Sequence, residues 1–200
     1  EIKARVYDVA ARADVAIVEI GGTVGDIESL PFLEAVRQMR VECGSENAVN
    51  VHVTLVPYIA AAGELKTKPP QHSVKELLAL GIQPEILICR CDRPLPAELK
   101  KKIAHFCNVP EQRVIAAPDV DVIYRLPMTL HAEGCDTRII ERLNIWSREP
   151  DLSRWERTVS GFLAPERGRV KIALVGKYVH LRDSYKSLNE ALVHGGLACE

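Results

Sequence analysis

No apolar run in this 200-residue chain approaches the roughly 18 to 20 residues that a membrane-crossing helix requires, so no membrane partner is expected. No signal peptide is visible, although with Glu1 as first residue upstream targeting is not readable. Nor is there an excess of charge of either sign. The 26 basic and 27 acidic residues leave a net charge of -1, which argues against a non-specific nucleic-acid binder but leaves room for a local basic pocket that takes a polyphosphate. The six cysteines lack the dense spacing of a small secreted disulfide scaffold. Cys89 and Cys91 fall on one face of a predicted strand, with no further residues at metal-ligand spacing, and read as buried free thiols. The expected location is cytoplasmic. Internal repeats and low-complexity tracts are absent.

What the chain does have is an organising stretch from Ala13 to Ser29, ADVAIVEIGGTVGDIES. Val15 to Val18 form a short apolar run that stops at Gly21-Gly22, which predicts a central parallel strand covered on both sides. Glu19 then sits at its carboxyl end, where open α/β sheets place their ligand crevice. A carboxylate there suits a phosphate-bound Mg²⁺, which prefers hard oxygen ligands. Gly21, Gly22 and Gly25 allow a tight turn and close backbone approach, and Asp26 and Glu28 offer acceptor oxygens to ribose or base donors. Taken singly, each feature also has an ordinary reading as a solvated edge residue or a turn.

The whole string EIGGTVGDIES resembles the signature of the CTP synthases, which aminate UTP to CTP. Later segments extend the resemblance. Lys66, Thr67, Lys68, Pro69, Pro70 and Gln71 make a stiff cationic loop before a helix, a place where lysine charge and the helix amino terminus both favour phosphate. The loop is similar to the family's KTKPTQHS motif, which implies contacts to UTP and the product CTP. Pro70 stands where the family usually has Thr, removing a hydroxyl and an N–H donor. The run Lys100 to Lys102 reads as a solvated basic face; the resemblance singles out Lys102 as a pyrimidine-nucleotide contact. It also implies that Asp26, Ile27 and Glu28 recognise CTP, that Pro118, Asp119 and Val120 contact the adenine of ATP, and that Glu19 is a Mg²⁺ ligand. Glu19, Lys66 and Lys102 are expected around one shared cavity.

Along the chain, residues 1–12 read as the end of an amphipathic helix, and a chain that begins inside a domain is expected. Ser29 and Pro31 open a second helix that ends at Gly44. Residues 50–59 form a strand in which Val51, Val53 and Leu55 alternate with His52 and Thr54. His52 is expected to be satisfied by a neighbour. Ser73 and Glu76 form a capping-box pattern for the next helix. Strands over residues 84–92 and 113–117 flank a helix opening at Pro96, and helical patterns follow up to residue 145. Residues 147–169 turn polar, with a short helix near Trp155, and a fresh strand is expected from Val170.

The fold class expected is α/β, a mostly parallel sheet with helices on both faces in the manner of a phosphate-loop amidoligase domain. It divides into the later part of a synthetase domain over residues 1–146, a linker over 147–169 and the start of a glutamine amidotransferase domain over 170–200. The resemblance implies a homotetrameric ligase that uses ATP, UTP and glutamine or ammonia, through a phosphorylated UTP. These residues alone are expected to be inactive, since the family's phosphate loop and glutaminase nucleophile are not among them. Two other readings stay open: a different ATP-dependent amidoligase of the dethiobiotin synthetase type, and a non-catalytic assembly or regulatory module.

Overall fold

The computed structural model describes residues 1–199, and these separate into two compact units. The first comprises Glu1–Asp119 and Thr129–Arg148. It is α/β. Three parallel strands, β1 (Val51–Leu55), β4 (Ile86–Cys91) and β5 (Val114–Pro118), lie in the order β1-β4-β5. A two-stranded antiparallel hairpin, β2 (Tyr58–Ile59) and β3 (Glu64–Leu65), follows β1 directly. The helices of this unit are α1 (Ile2–Ala10), α2 (Leu30–Cys43), α3 (Lys68–Ala79), α4 (Ala97–Cys107) and α6 (Cys135–Leu143), with part of α5 (Leu126–Ala132).

The central strand β4 reads ILICRC and feeds both faces of the sheet. Leu87, Cys89 and Cys91 pack with Val74 of α3 and Ile103 and Cys107 of α4. Ile86, with Ile88 packed alongside, meets Ile115 of β5, Cys135 and Ile139 of α6 and Leu130 of α5. This two-sided burial is why a strand of a covered parallel sheet is apolar at nearly every position. The β5 edge is closed by a side chain: the Ala116 N–H donates to Glu133 Oε2 at 2.8 Å, and Lys100 pairs with the same carboxylate. Across the other end of the sheet, Glu85 accepts from the Asn50 N–H at 2.7 Å and pairs with Arg40 of α2 and Arg142 of α6.

The second unit comprises Val120–Met128 and the residues from Glu149 onward. Its helices are α7 (Ser153–Leu163) and α8 (Lys186–Ala198). The Tyr124 hydroxyl donates to Glu190 of α8 at 2.8 Å, and the Tyr124 ring packs edge-on against Phe162 of α7 at a centroid distance of 5.8 Å.

Several expectations are corrected. Val15–Val18 is not a strand: it carries no ladder and Ile17 is 93% exposed. Its apolar sequence has strand character, but a strand also needs a neighbour to bond with, and among the described residues none runs beside it. The segment from Val170 is also without a ladder, with Val170 and Val175 exposed, for the same reason. In β1 the alternation turns the polar side inward: Thr54 is buried and His52 half-buried, while Val51, Val53 and Leu55 are exposed. His52 is satisfied there by a 2.8 Å bond between its Nε2 and Ser73 Oγ. Ser73 is therefore mid-helix and not a cap. Helix α3 starts at Lys68, because the first turn of a helix tolerates proline, whose missing N–H would be unpaired there anyway.

Candidate functional site

Parallel pairing brings the carboxyl ends of β1, β4 and β5 to one edge, with Leu55 beside Arg90 and Cys91 beside Pro118. The backbone then stitches the segments that leave this edge. The Val56 N–H donates to the Arg90 carbonyl at 2.8 Å, and the Asp119 N–H to the Cys91 carbonyl at 2.8 Å. The Lys66 N–H donates to the Pro57 carbonyl at 2.8 Å, folding the hairpin so that its second strand delivers Lys66 beside the end of β1. Gly63 turns the hairpin with φ +66°, a left-handed conformation that glycine reaches at no steric cost.

The cationic loop splits in two. Thr67 is buried, and its hydroxyl accepts from Gln71 Nε2 at 3.1 Å. Pro70 is fully buried against the core, with its carbonyl 4.0 Å from the Cys107 sulfur. The Pro70 ring therefore packs inward, and a ligand contact from this position would have to be made by backbone. Lys68 and Pro69, in contrast, are exposed at the amino terminus of α3, and Lys66 is half-buried. The Lys66 ammonium pairs with Glu64. The Glu64 carboxyl is held below the usual carboxylate range, first by its hydrogen bond and charge contact with Lys66 and also by the charge of Lys102 on α4. Lys66 and Lys102, 36 positions apart in sequence, thus act on one carboxylate.

Beside this group, Arg90 pairs with Asp119 at 3.4 Å. Arg93 grips Asp92 with two bonds of 2.9 Å, which lowers the Asp92 pKa, and its guanidinium lies over the Tyr58 ring. Pro118 closes β5 half-buried and Asp119 follows exposed. Val120, half-buried, belongs to the second unit.

The glycine loop forms a separate surface. Glu19 is exposed, with its Oε1 curled 3.6 Å from the place a Cβ on Gly21 would occupy. Asp26 turns its carboxylate back into the loop, accepting from the Thr23 N–H at 3.0 Å, while Gly22 and Gly25 take φ values of +87° and +105°. Ile27 and Glu28 are exposed. A cavity of about 180 Å³ lies behind the loop among Gly21, Thr23, Leu33, Val36, His52 and Leu77. Glu19, Lys66 and Lys102 do not line it, so the expected cavity shared by these three is corrected: their distances along the chain said nothing about which surface each would reach.

No cluster of three or more His, Cys, Asp or Glu side chains able to hold a metal occurs among the described residues. That suits a site of the Mg²⁺-nucleotide kind, in which one or two protein carboxylates are completed by phosphate oxygens and water; Glu19 is the single carboxylate offered by the loop end.

Sequence reasoning missed Glu64, Tyr58 and the clasp made by Arg93. A signal for the first existed: Glu64 and Lys66 are two apart in an extended segment, hence on one side of it. The contact of Arg93 with Tyr58 spans 35 positions and left no local trace.

The first 145 residues match the family model described as the CTP synthase N-terminus. The chain is similar to the CTP synthase of Acidobacterium capsulatum, at 63% identity over 198 residues that cover 99% of this chain and 36% of the relative. It is similar also to that of Geobacter sulfurreducens, at 60% identity over 198 residues covering 99% and 37%. It spans just over a third of the length of these curated relatives.

Proposed function

This chain belongs to the CTP synthase family, and from that membership we propose that it forms part of an ATP-dependent ligase that aminates UTP to CTP. The pairing of both Lys66 and Lys102 with the region of Glu64, beside the amino end of α3, carries this reading. Two ammonium groups from separate elements and the positive end of a twelve-residue helix make a seat for a polyphosphate.

In the reaction proposed, O4 of UTP attacks the γ-phosphorus of ATP and ADP leaves. Ammonia, supplied directly or from glutamine, then adds to C4, and the phosphate departs with the C4–O4 bond. Such phosphoryl transfer rests on positioning and on neutralising charge. Lys66, Lys68 and Lys102 take the phosphates of UTP or CTP. Thr67 and Pro69 shape the turn, and Pro70 and Gln71 anchor it from within. Asp26, Ile27 and Glu28 recognise the pyrimidine nucleotide from the glycine loop. Pro118, Asp119 and Val120 lie along the adenine of ATP. Glu19 would hold Mg²⁺ with nucleotide oxygens, the ion neutralising charge on the transferred phosphoryl group.

We assign residues 1–146 to the synthetase domain, 147–169 to a linker and 170–200 to the opening of the glutaminase domain. Helix α2 leaves Phe32 and Val41 exposed, and we place a subunit contact of a homotetramer there. No helix is long and apolar enough to cross a membrane among the described residues, in keeping with a cytoplasmic enzyme.

The test is kinetic. In the full-length protein, Lys66→Ala and Lys102→Ala should each raise the UTP concentration for half-maximal rate by about tenfold or more, the scale of a charge-assisted contact, with a smaller effect on ATP. A UTP dependence unchanged in both variants would overturn the assignment. Residues 1–200 alone should form no CTP from UTP, ATP and ammonia; measurable CTP would refute that expectation.

A further inference from the structure

Glu64 has no part in the function proposed above, yet it occupies the centre of the cationic group. It sits on the second strand of the hairpin, paired with Ile59 across the ladder and two residues before Lys66. Its side chain is 61% exposed and that of Lys66 40% exposed, so their ion pair lies on the side from which a ligand arrives. Its carboxylate also lies within the field of Lys102. A carboxylate oxygen accepts from an ammonium much as a phosphate oxygen does.

We propose that Glu64 is a built-in counter-ion that holds the Lys66 ammonium in place of a phosphate and must be displaced when a polyphosphate binds. This inference rests on the reading of Lys66 as a phosphate contact. In the unliganded protein the pair keeps Lys66 aimed at the site through its fixed backbone, since the Lys66 N–H is held by the Pro57 carbonyl. On binding, the ammonium exchanges one anion for another, and the freed carboxylate becomes a like charge facing the phosphates. The residue therefore subtracts from affinity, and it sets a threshold. A triphosphate carries enough charge to win the exchange. A monophosphate or a stray carboxylate, with less charge to offer, competes poorly.

The test uses the full-length protein with UTP and UMP as probes, at low and at physiological salt. Glu64→Gln keeps the size of the side chain and removes its charge. Because an exposed ion pair is worth up to about 1 kcal/mol, Glu64→Gln should tighten UTP binding by about two- to fivefold, improve UMP by a larger factor and so narrow the preference for the triphosphate. Added salt should shrink both gains. In Lys66→Ala protein, the Glu64→Gln gain should fall to that of the like charge alone. If Glu64→Gln weakens binding or leaves it unchanged while Lys66→Ala weakens it, the counter-ion role is wrong and the phosphate contact stands. If Lys66→Ala leaves UTP binding unchanged, the underlying reading of the site fails instead. Glu64→Asp, which keeps the charge on a shorter arm, should stay within twofold of the parent, on the order of a small surface change, and a gain equal to that of Glu64→Gln would also overturn the proposal.

Discussion

The guanidinium carbon of Arg93 stands 3.2 Å from the centre of the Tyr58 ring. This contact joins the segment leaving β4 to the first residue of the hairpin that delivers Lys66. Arg93 is itself held flat by two bonds to Asp92, so the clasp is braced on both sides. Arg93→Lys keeps the charge and loses the planar stack. With a cation–π contact worth about 0.5 to 2 kcal/mol, the half-saturating UTP concentration of the full-length protein should rise by about two- to tenfold, with ATP dependence and the maximal rate little changed. Equal losses for UTP and ATP would show that Arg93 does not act through the hairpin.

A second prediction concerns stability. The Glu85 side chain is 10% exposed and serves two arginines and the Asn50 N–H at once. Removing one partner of a largely buried ionic group leaves the others uncompensated, at a cost of about 3 to 5 kcal/mol. Glu85→Ala should lower the midpoint of urea unfolding sharply with an unchanged slope. A shift corresponding to less than about 1 kcal/mol would mean that solvent replaces the carboxylate freely.

The thiols provide a third. Burial pushes Cys89 up to about 12 and Cys107 up to about 11, and raises Cys91 and Cys135 as well. The thiolate is the reactive species. At pH 8 a maleimide should therefore label exposed Cys199 quickly and these four only after denaturation. Mass spectrometry of partly labelled protein would read the order directly, and early labelling of Cys89 would contradict the packing of β4.

The fourth follows from His52, whose pKa is lowered by desolvation. In the unfolded chain this imidazole takes a proton more readily than in the folded one, so stability falls as pH drops below about 6.5. The loss levels off once pH is under the lowered folded value. Replacing His52 with Gln keeps a partner for Ser73 and removes the titration. The variant should lose less stability than the parent between pH 7 and pH 5, measured by thermal unfolding at each pH. Parallel curves would exclude a contribution from this residue.

How much of this was legible beforehand depended on whether the deciding interaction was local. ILICRC in β4 announces a strand covered on both faces, and the structure covers it on both. Val15–Val18 carries the same signature without a ladder, because composition reports that a segment suits a sheet and is silent on who sits beside it. The start of α3 was misplaced by the attraction of Ser73 and Glu76 as a cap; the two prolines at its first turn were the better signal. At the site, the order of Lys66 and Lys68 before a helix was visible, and the importance of Lys102 came only through family resemblance. That Lys102 and Lys66 bear on one carboxylate depends on the packing of α3 with α4, which no window of sequence contains.

Glu133 plugs the Ala116 N–H on the outer side of β5, whereas β1 leaves its outer rim unpaired beside exposed Val51, Val53 and Leu55. The sheet thus has a sealed seam and an open one. Any further strand, from the same polypeptide or from another molecule, can be zipped on only at β1, which gives the architecture a single direction of growth.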